Sequence, residues 1–491
     1  MTDIRADFVA RRYAAERRFK FYGAAALGLT ALFLLFLLTD VVIKGFPAFF
    51  EHRVMIEMTV EPDKVDAANP VAGDYDGLVK EAFRALYPNV KSRSDRKVLS
   101  GLLSQGAGDD LRAMVMANPA RIGQRLRVPA LLSDDADLYF KGQQTGVTKA
   151  PGTGTLQIAK AGDVYVITGG TTGLMKGQII RANGGALRIA GFEGETVLAE
   201  ALTLPETLNT ATPGTWDVLT PLVGESERRI DDRQIVWMEQ LREQGNIDKS
   251  IAWRFFSSGD SREAELAGLK GALVGSLFTV AVALLLALPL GIAAAIYLEQ
   301  FAPKNKLTDL IEVNINNLAA VPSIIFGILG LAIFLNFFGL PRSAPIVGGL
   351  VLALLVLPTI IIASRAALKA VPPSITEAAL GVGASKQQAV FQHVLPLALP
   401  GILTGTILGL ARAFGETAPL LMIGMVAFIA DVPHGFRDAA TVLPVQIYLW
   451  SDLPEIAFQS KTAAAIIVLV VVLFGLNAIA IYLRKRFERR W

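Results

Sequence analysis

The sequence predicts an all-α protein that crosses a membrane several times and carries a large α+β insert between its first and second spans. Three observations lead to this class. Apolar residues make up 52% of the 491 residues and charged residues only 19%, below the roughly 25% of soluble chains. The apolar residues form blocks long enough to cross a bilayer, which takes about 20 residues. Residues 45–268, between the first two blocks, have the mixed composition of a soluble domain.

Six stretches are uncharged or nearly so, and we expect each to be one transmembrane helix. They are residues 21–39, 271–297, 313–341, 343–364, about 400–430 and 462–483. The first is expected to be retained, because its apolar run is too long for a signal-peptide core and no small-residue cleavage site follows it. In the fifth, Pro396 and Pro400 suggest a lead-in segment, with the helix beginning at about Gly401.

Three prolines lie within or at the ends of these stretches. We expect Pro322, Pro358 and Pro419 to bend or break their spans. Membrane bundles tolerate such breaks where neighbouring groups satisfy the freed carbonyls.

Lysine and arginine gather on one side of the predicted spans. On that side are Arg5, Arg11, Arg12, Arg17, Arg18, Lys20, Lys304, Lys306, Arg365, Lys369, Lys386, Arg484, Lys485, Arg486, Arg489 and Arg490. The short loops of the opposite side have only Arg342, Arg437 and Lys461. Cytoplasmic loops carry the excess of basic residues, so both termini are expected in the cytoplasm. Two cytoplasmic termini require an even number of spans, which six satisfies.

The predicted organisation has three parts. Residues 1–44 form a basic N-terminus and the first transmembrane helix, residues 45–268 an extracytoplasmic insert, and residues 269–491 a five-helix core with a basic tail. Within the insert, residues 76–87 and 230–242 have helical periodicity. Short apolar runs at 165–168 and 186–189, separated by glycine pairs, indicate small strands and turns. Turn geometry explains these glycines better than a phosphate cradle, and no function is indicated for the insert.

Composition argues against several chemistries. The chain has no cysteine, which excludes disulfides, thiolate metal sites and a cysteine nucleophile. His52, His393 and His434 lie far apart and have no metal-ligand spacing, so no metal site is expected. No G-x-x-x-x-G-K-[ST] loop is present to bind ATP. The net charge of +3 gives no indication of nucleic acid as a partner. We therefore expect no catalytic residue and no cofactor in this chain.

A short motif lies in the loop between the fourth and fifth predicted spans. It reads Glu377-Ala378-Ala379-Leu380-Gly381-Val382-Gly383 and is followed by Leu395-Pro396. Glu-Ala-Ala favours a short helix, its alanines leave a smooth face, and Gly383 permits a sharp turn. The alternative is an ordinary amphipathic surface loop. The spacing from Glu377 to Gly383 and to Leu395-Pro396, on the predicted cytoplasmic side, favours a docking motif instead.

This pattern resembles the EAA loop of the permeases of ABC importers. The resemblance implies that Glu377, Ala378, Ala379, Gly383, Leu395 and Pro396 couple the chain to an ATPase. His393 departs from the family, which usually has an aliphatic residue two positions before the leucine.

Three further stretches narrow the resemblance. Residues 314–327 read Asn-Ile-Asn-Asn-Leu-Ala-Ala-Val-Pro-Ser-Ile-Ile-Phe-Gly, residues 357–361 read Leu-Pro-Thr-Ile-Ile, and residues 411–420 read Ala-Arg-Ala-Phe-Gly-Glu-Thr-Ala-Pro-Leu. Together with the loop they look like the PstA-type permeases of phosphate importers, and the run at 415–420 favours PstA over its partner PstC. The resemblance covers about residues 270–484 and leaves out the long insert.

The resemblance implies a type I ABC importer permease fold and a set of partners. These are an ATPase dimer of the PstB type, which would hold ATP and Mg²⁺, a second permease of the PstC type, an extracytoplasmic phosphate-binding protein of the PstS type, and membrane lipid. The chain itself would form half of the translocation pathway and would not be an enzyme.

Arg412 and Glu416 are the candidate pathway residues on physical grounds. They are four residues apart, so they share a helix face and can pair. Counting about 1.5 Å per residue from Pro400 places Arg412 about 18 Å into the membrane. A charge there costs at least about 3 kcal/mol unless it faces protein or water. The guanidinium fork suits the oxygens of phosphate, and Glu416 would hold it when the path is empty. The alternative is a static pair that orients two spans.

Asn314, Asn316 and Asn317 could face the same pathway or could only hydrogen-bond between helices. The rival functions are a permease for sulfate, molybdate or an organic solute, and a membrane-anchored receptor or assembly protein that acts through its insert. A channel-like carrier without a motor is disfavoured, since it would have no use for an EAA loop.

Overall fold

Helices dominate the chain, and seventeen α-helices are found in residues 2–144, 146–208 and 210–487, which the computed structural model describes. They are α1 (Thr2–Gly45), α2 (Tyr75–Ala85), α3 (Arg93–Ser100), α4 (Asp109–Ala117), α5 (Asp134–Phe140), α6 (Asp232–Glu243), α7 (Trp253–Ser257), α8 (Lys270–Ile296), α9 (Lys306–Ala319), α10 (Ser323–Gly330), α11 (Pro345–Lys369), α12 (Pro373–Gly381), α13 (Lys386–Gln388), α14 (Leu395–Gly415), α15 (Ala418–Met422), α16 (Leu443–Ser451) and α17 (Ile456–Phe487). Arg489 and Arg490 of the predicted basic tail lie outside the described residues.

Ten strands are also present in this part of the chain. They are β1 (Phe50–Thr59), β2 (Arg125–Leu131), β3 (Val147–Pro151), β4 (Gln157–Ala161), β5 (Val164–Thr168), β6 (Ile179–Ala182), β7 (Gly185–Glu193), β8 (Thr196–Thr203), β9 (Trp216–Pro221) and β10 (Ile247–Ile251). The chain divides into two compact units, which we call the helical unit (Met1–Phe49, Trp253–Arg262 and Ala267–Trp491) and the β-rich unit (Phe50–Ala252 and Glu263–Leu266).

The β-rich unit has two antiparallel sheets. One has the strand order β10-β1-β2 and the other β3-β9-β6-β7-β8-β5-β4. β1 shows the alternation that puts one face of a sheet in a core, with Val54, Ile56 and Met58 buried. The predicted helices at 76–87 and 230–242 are confirmed as α2 and α6, and the predicted strands as β5 and β7. The glycines at 169, 170 and 184 adopt positive φ, which confirms their role in turns.

In the helical unit, five long apolar helices could each cross a membrane. They are centred on α1, α8, α11, α14 and α17, and a bent pair of shorter helices could supply a sixth span. α8 and α11 form the core of the unit, packed through Val347, Val351 and Ala283. Pro358 does not break its span, because α11 continues through it from Pro345 to Lys369.

The third predicted span is not one straight helix. Helix α9 ends at Ala319, and the chain resumes at Ser323 with an axis turned by 99°. Pro322 lies in the break, where it has no N–H to extend the α9 hydrogen-bond ladder. The break confirms the expectation that Pro322 bends or breaks its span, whereas the uniform hydropathy of residues 313–341 did not show that two short helices are present.

The boundaries of the fifth predicted span were wrong at both ends. The helical path begins at Lys386, passes through the wide π-helical turn Ala389–Val394 and continues as α14 to Gly415. Pro396 lies in the first turn of α14, where a missing N–H costs little. At the other end Glu416 is extended, and Pro419 lacks the N–H that would bond to the carbonyl of Gly415. The residues from Ala418 onward therefore form a separate short helix.

Candidate functional site

The Glu-Ala-Ala motif occupies the second half of helix α12. Pro373 begins this helix, in the position where proline is best tolerated. Ala379 is 5% exposed and packs toward the Ala389–Val394 turn, whereas Glu377 and Ala378 face solvent. The motif thus has one alanine fixed against its own chain and a polar, small-residue face left open.

A glycine turn ends this helix. The N–H of Ala384 donates to the carbonyl of Ala379 over 3.0 Å, and the N–H of Gly383 donates to that of Leu380, also over 3.0 Å. This is a Schellman motif, which needs a left-handed residue after the helix, and Gly383 supplies it with φ of +92°. The predicted sharp turn at Gly383 is confirmed.

The chain leaves this turn through a capping box. The N–H of Gln388 donates to the Oγ of Ser385 over 3.2 Å, and the N–H of Ser385 donates to Oε1 of Gln388 over 2.8 Å. Val390 and Val394 are then buried against Ala295 and Leu368. The loop is therefore attached to two of the long apolar helices, α8 and α11, by a packed apolar cluster.

The outer face of the loop is apolar and open. Val382, directly before the Gly383 turn, is 87% exposed. Leu380, two residues before it, and Phe391, nine residues after it, are about half exposed. His393, the departure from the family pattern, is also exposed, while Leu395 is partly buried. We refer to Leu380, Val382 and Phe391 as the apolar tip.

Arg412 and Glu416 come together as their spacing predicts. Arg412 Nε lies 3.4 Å from Oε1 of Glu416, and their side chains are 41% and 19% exposed. Arg412 occupies the last turn of α14, and Glu416 is the first residue after it. Both side chains are partly exposed, so the guanidinium of Arg412 keeps an open side beside Glu416.

The position of Glu416 depends on a close approach between two short helices. A Cβ placed on Gly327 of α10 would stand 2.7 Å from the Cα of Pro419 in α15. Only glycine allows this distance. The break at Pro322 comes directly before α10, which packs closely against α15, two residues after Glu416.

A contact in the middle of α14 joins this helix to the basic end of α17. Arg484 Nη1 donates to the Oγ1 of Thr404 over 3.3 Å. Arg412 lies eight residues beyond Thr404, about 12 Å along the helix axis.

The asparagines are less closely tied to this pair. The Nδ2 of Asn314 donates to the carbonyl of Leu310 in its own helix over 2.7 Å, and Asn316 and Asn317 are exposed on α9. Among the described residues, no hydrogen bond or ion pair joins Asn316 or Asn317 to Arg412. Within the same part of the chain, no group of three or more His, Cys, Asp or Glu side chains is placed to hold a metal ion.

Two features of the helical unit were missed from sequence. Arg365 of α11 pairs with Glu312 of α9 at 2.6 Å and lies 3.5 Å from Glu299, which follows α8. Small residues at four-residue spacing, Gly401, Gly405 and Gly409, bring α14 against α11. The glycine spacing was a readable signal, since small residues four apart mark close helix packing in membranes.

Comparison with known families agrees with the loop and the apolar helices. A family described as binding-protein-dependent transport system inner membrane component matches residues 287–491, and a domain of unknown function, DUF3333, matches residues 7–149. The MetNI methionine ABC transporter, in inward-facing conformations, aligns with 45% of this chain and 96% of its own, at 19% identity and a TM-score of 0.35.

Individual relatives carry names of the same kind. The probable ABC transporter permease protein YqgI of Bacillus subtilis is 30% identical over 46% of this chain and 82% of its own. Phosphate transport system permease protein PstA 1 of Mycobacterium tuberculosis H37Rv is 32% identical over 52% of this chain and 82% of its own. PstC of Haemophilus influenzae is 34% identical over 31% and 55%. The chain therefore belongs to the binding-protein-dependent transport system inner membrane components, as a PstA-type ABC importer permease that is not itself an enzyme.

Proposed function

We propose that this chain is one of two permease subunits of an ATP-driven importer for inorganic phosphate. The observation that carries the choice of solute is Arg412, an exposed guanidinium near the end of an apolar helix with one carboxylate, Glu416, beside it. The names of relatives such as PstA 1 of Mycobacterium tuberculosis support the same solute.

In this proposal Arg412 binds phosphate and Glu416 holds the guanidinium between transport events. A guanidinium presents parallel N–H donors that match two oxygens of one phosphate. Phosphate would displace Glu416, whose exposed pairing is weak, and Glu416 would reclaim Arg412 when phosphate leaves. Asn316 and Asn317 are proposed to line the same path.

Coupling to ATP hydrolysis is assigned to the loop from Glu377 to Pro396. Its apolar tip would enter a groove on a PstB-type ATPase dimer, and the cluster around Val390 and Val394 would pass the motion to α8 and α11. The Schellman turn at Gly383 suits this task, because it fixes the angle between two helices. Glu377 and Ala378 would form the contact face beside the tip.

The proposed assembly also contains a PstC-type permease and a PstS-type binding protein. We place the chain in the bacterial inner membrane with both termini in the cytoplasm. It has six spans if the bent pair α9–α10 counts as one. The segment between the first two spans would then be extracytoplasmic. Because the chain has no cysteine, single substitutions such as V382C and K176C report sidedness directly with an impermeant thiol reagent. Labelling of Val382→Cys from outside intact cells would reverse the proposed orientation.

The test of whether phosphate is the solute measures phosphate uptake by Arg412→Ala, Arg412→Lys and Arg342→Ala. Arg342 is an exposed arginine in a loop and is the control. Loss of a charged hydrogen bond predicts a fall in phosphate uptake of about ten-fold or more for Arg412→Ala. Arg412→Lys should fall between Arg412→Ala and the native protein, and Arg342→Ala should match the native protein. Normal phosphate uptake by a correctly assembled Arg412→Ala complex would show that Arg412 does not bind phosphate during transport.

Competition separates phosphate from the rival solutes. If uptake is blocked by sulfate or molybdate and unaffected by phosphate, the transported solute is sulfate or molybdate. A receptor acting through the β-rich unit predicts a different pattern, in which Glu377→Ala and Val382→Ser leave the function intact.

A further inference from the structure

A concave groove lined by basic side chains lies between α2 and α3 of the β-rich unit. Its volume is about 1160 Å³. Six of its lining residues are cationic: Lys80, Arg84, Lys91, Arg93, Arg96 and Lys97. They come from a stretch of only 18 residues, which gives this face of the unit a strong local positive charge.

The positive charges repel one another within each helix. Lys80 and Arg84 are four residues apart on α2, and Arg93 and Lys97 are four apart on α3. Like charges at this spacing destabilise a helix, because the two side chains lie side by side on one face. Both unfavourable pairs line the same groove, so an anion between them would relieve both.

The carboxylates of these two helices face other groups. Asp76 accepts from the N–H of Gly108 over 2.8 Å, Glu81 pairs with Lys64, and Asp95 pairs with Arg233 at 2.6 Å. Each of these three acids is thus bonded to a group outside the groove.

The groove cations themselves are left largely unpaired. Arg84 donates only to the hydroxyl of Ser100, and Arg96 to the carbonyl of Val90. Within the described ranges Lys80, Arg93 and Lys97 have no hydrogen-bond or ion-pair partner.

Acidic residues also line the groove. They are Asp134, Glu263 and Glu265, and among the described residues no ion pair within 4 Å joins them to the six cations. Burial raises the pKa of Asp134 and of Glu265. Even when all three are ionised, the carboxylates number only half of the six cations. The cationic wall thus remains free to bind an anion from solution.

The other lining groups select the chemistry of that anion. Among the described residues no aromatic side chain lines the groove, so these residues offer no surface on which a nucleobase could stack. The hydroxyl of Ser94 adds a polar group, whereas that of Ser100 already donates to the carbonyl of Arg96. Ser92 does not cap the first turn of α3, whose N–H groups favour negative charge. Lysine, arginine, hydroxyl and helix N–H groups together are the usual ligands of phosphate oxygens. Six cations provide more positive charge than one orthophosphate needs.

We propose that the β-rich unit binds an anion with several phosphate groups, of the oligophosphate class, in the groove between α2 and α3. The phosphates would lie between Lys80 and Arg84 on one side and Arg93 and Lys97 on the other. The site is separate from Arg412 and does not depend on which solute the spans transport.

The experiment measures binding of tripolyphosphate to the full chain in nanodiscs of zwitterionic lipid, by calorimetry at fixed salt. The variants are the double substitutions K80Q/R84Q and R93Q/K97Q. The matched control is R125Q/R127Q, which removes two exposed arginines from β2, outside the groove. Each groove variant should weaken binding by about ten-fold, as expected for one lost charged hydrogen bond, and the control should not change it.

Two further arms identify the source of the phosphate. Orthophosphate should bind more weakly than tripolyphosphate, because it reaches fewer cations. Vesicles of anionic lipid should not compete with tripolyphosphate. The proposal is overturned if all variants bind alike, if the control loses as much affinity as the groove variants, or if only anionic vesicles or an acidic peptide bind in a groove-dependent way. Unchanged melting temperatures of the variants would exclude unfolding as the cause of any loss.

Discussion

Gly405 of α14 faces Ala363 of α11 so closely that a methyl group on the glycine would overlap the methyl of the alanine. The same relationship repeats one turn away on either side. A Cβ on Gly401 would stand 2.7 Å from the Cβ of Ala367, and one on Gly409 would stand 2.7 Å from Cγ1 of Val356. The helix that carries Arg412 is therefore held against α11 by backbone contact along three successive turns.

This contact predicts opposite effects for one substitution at two glycines. Gly475 lies inside α17 with no atom within 4 Å of a new Cβ. Gly475→Ala should be neutral or stabilising by up to about 1 kcal/mol, since alanine favours the helix. Gly405→Ala should instead cost about 1–3 kcal/mol, because the added methyl forces the helices apart. Thermal unfolding of the purified chain in detergent measures both. Equal melting temperatures for the two variants would show that the close approach does not contribute to stability.

The turn after the Glu-Ala-Ala helix gives a second prediction. Gly383 has open space around it but a φ of +92°, so its replacement meets strain without a clash. Gly383→Ala should cost about 1 kcal/mol locally and leave the remainder of the chain folded. In the proposed importer it should lower ATP-driven uptake more than it lowers assembly with the ATPase, because the angle of the loop changes. Gly381→Ala, at a neighbouring glycine with open space and ordinary φ, is the control and should have little effect on uptake.

Sequence patterns located most helices but not their ends. The amphipathic period of α2, which buries Leu78, Val79 and Phe83, was visible because it depends on neighbours in the chain. Hydropathy alone did not detect the breaks after Ala319 and Gly415, since a proline that ends a helix leaves the apolar count unchanged. Pro322 and Pro419 were the residues that predicted these breaks. The strand order of the seven-stranded sheet could not be predicted either, because three of its pairings, β3 with β9, β9 with β6 and β8 with β5, join residues far apart in sequence.

The candidate site also contains features that the sequence predicted and features that it did not. The turn at Gly383 and the pairing of Arg412 with Glu416 follow from local spacing, so the sequence predicted both. Arg365 was counted only for its charge, because its partner Glu312 lies 53 residues away in the chain. Packing in three dimensions brings those two residues together.

The weak pair at the end of α14 supports a third prediction. Glu416→Gln keeps the shape of the side chain and removes the charge that competes with phosphate for Arg412. In the proposed importer the KM for phosphate should fall by about two- to five-fold, which matches the loss of an exposed pair of up to about 1 kcal/mol. The maximal rate should fall as well, because phosphate would leave Arg412 more slowly. Asp452→Asn, at an exposed position after α16, is the control. An unchanged KM would favour a static pair that only orients helices.

A buried carboxylate in the β-rich unit gives a prediction about pH. Asp137 accepts hydrogen bonds from the backbone N–H of His52 over 2.8 Å and from its Nδ1 over 2.9 Å, and pairs with Lys141 at 2.5 Å. Burial by itself would raise the pKa of Asp137, but these partners outweigh it and hold the pKa below its usual range. A carboxylate whose folded pKa is depressed stabilises the fold above its unfolded pKa of about 3.9. That contribution is lost as the pH falls through the folded pKa.

The test compares Asp137→Asn with Asp163→Asn, an exposed aspartate in a turn. At pH 7 Asp137→Asn should reduce the hydrogen-exchange protection of β1, which carries His52, whereas Asp163→Asn should not. Below about pH 4 the native protein should lose the same protection, so that its difference from Asp137→Asn narrows. A difference that stays constant down to pH 3, after correction for intrinsic exchange rates, would show that the ionised form of Asp137 does not stabilise the strand. Hydrogen bonds alone would then account for the packing of His52 against α5.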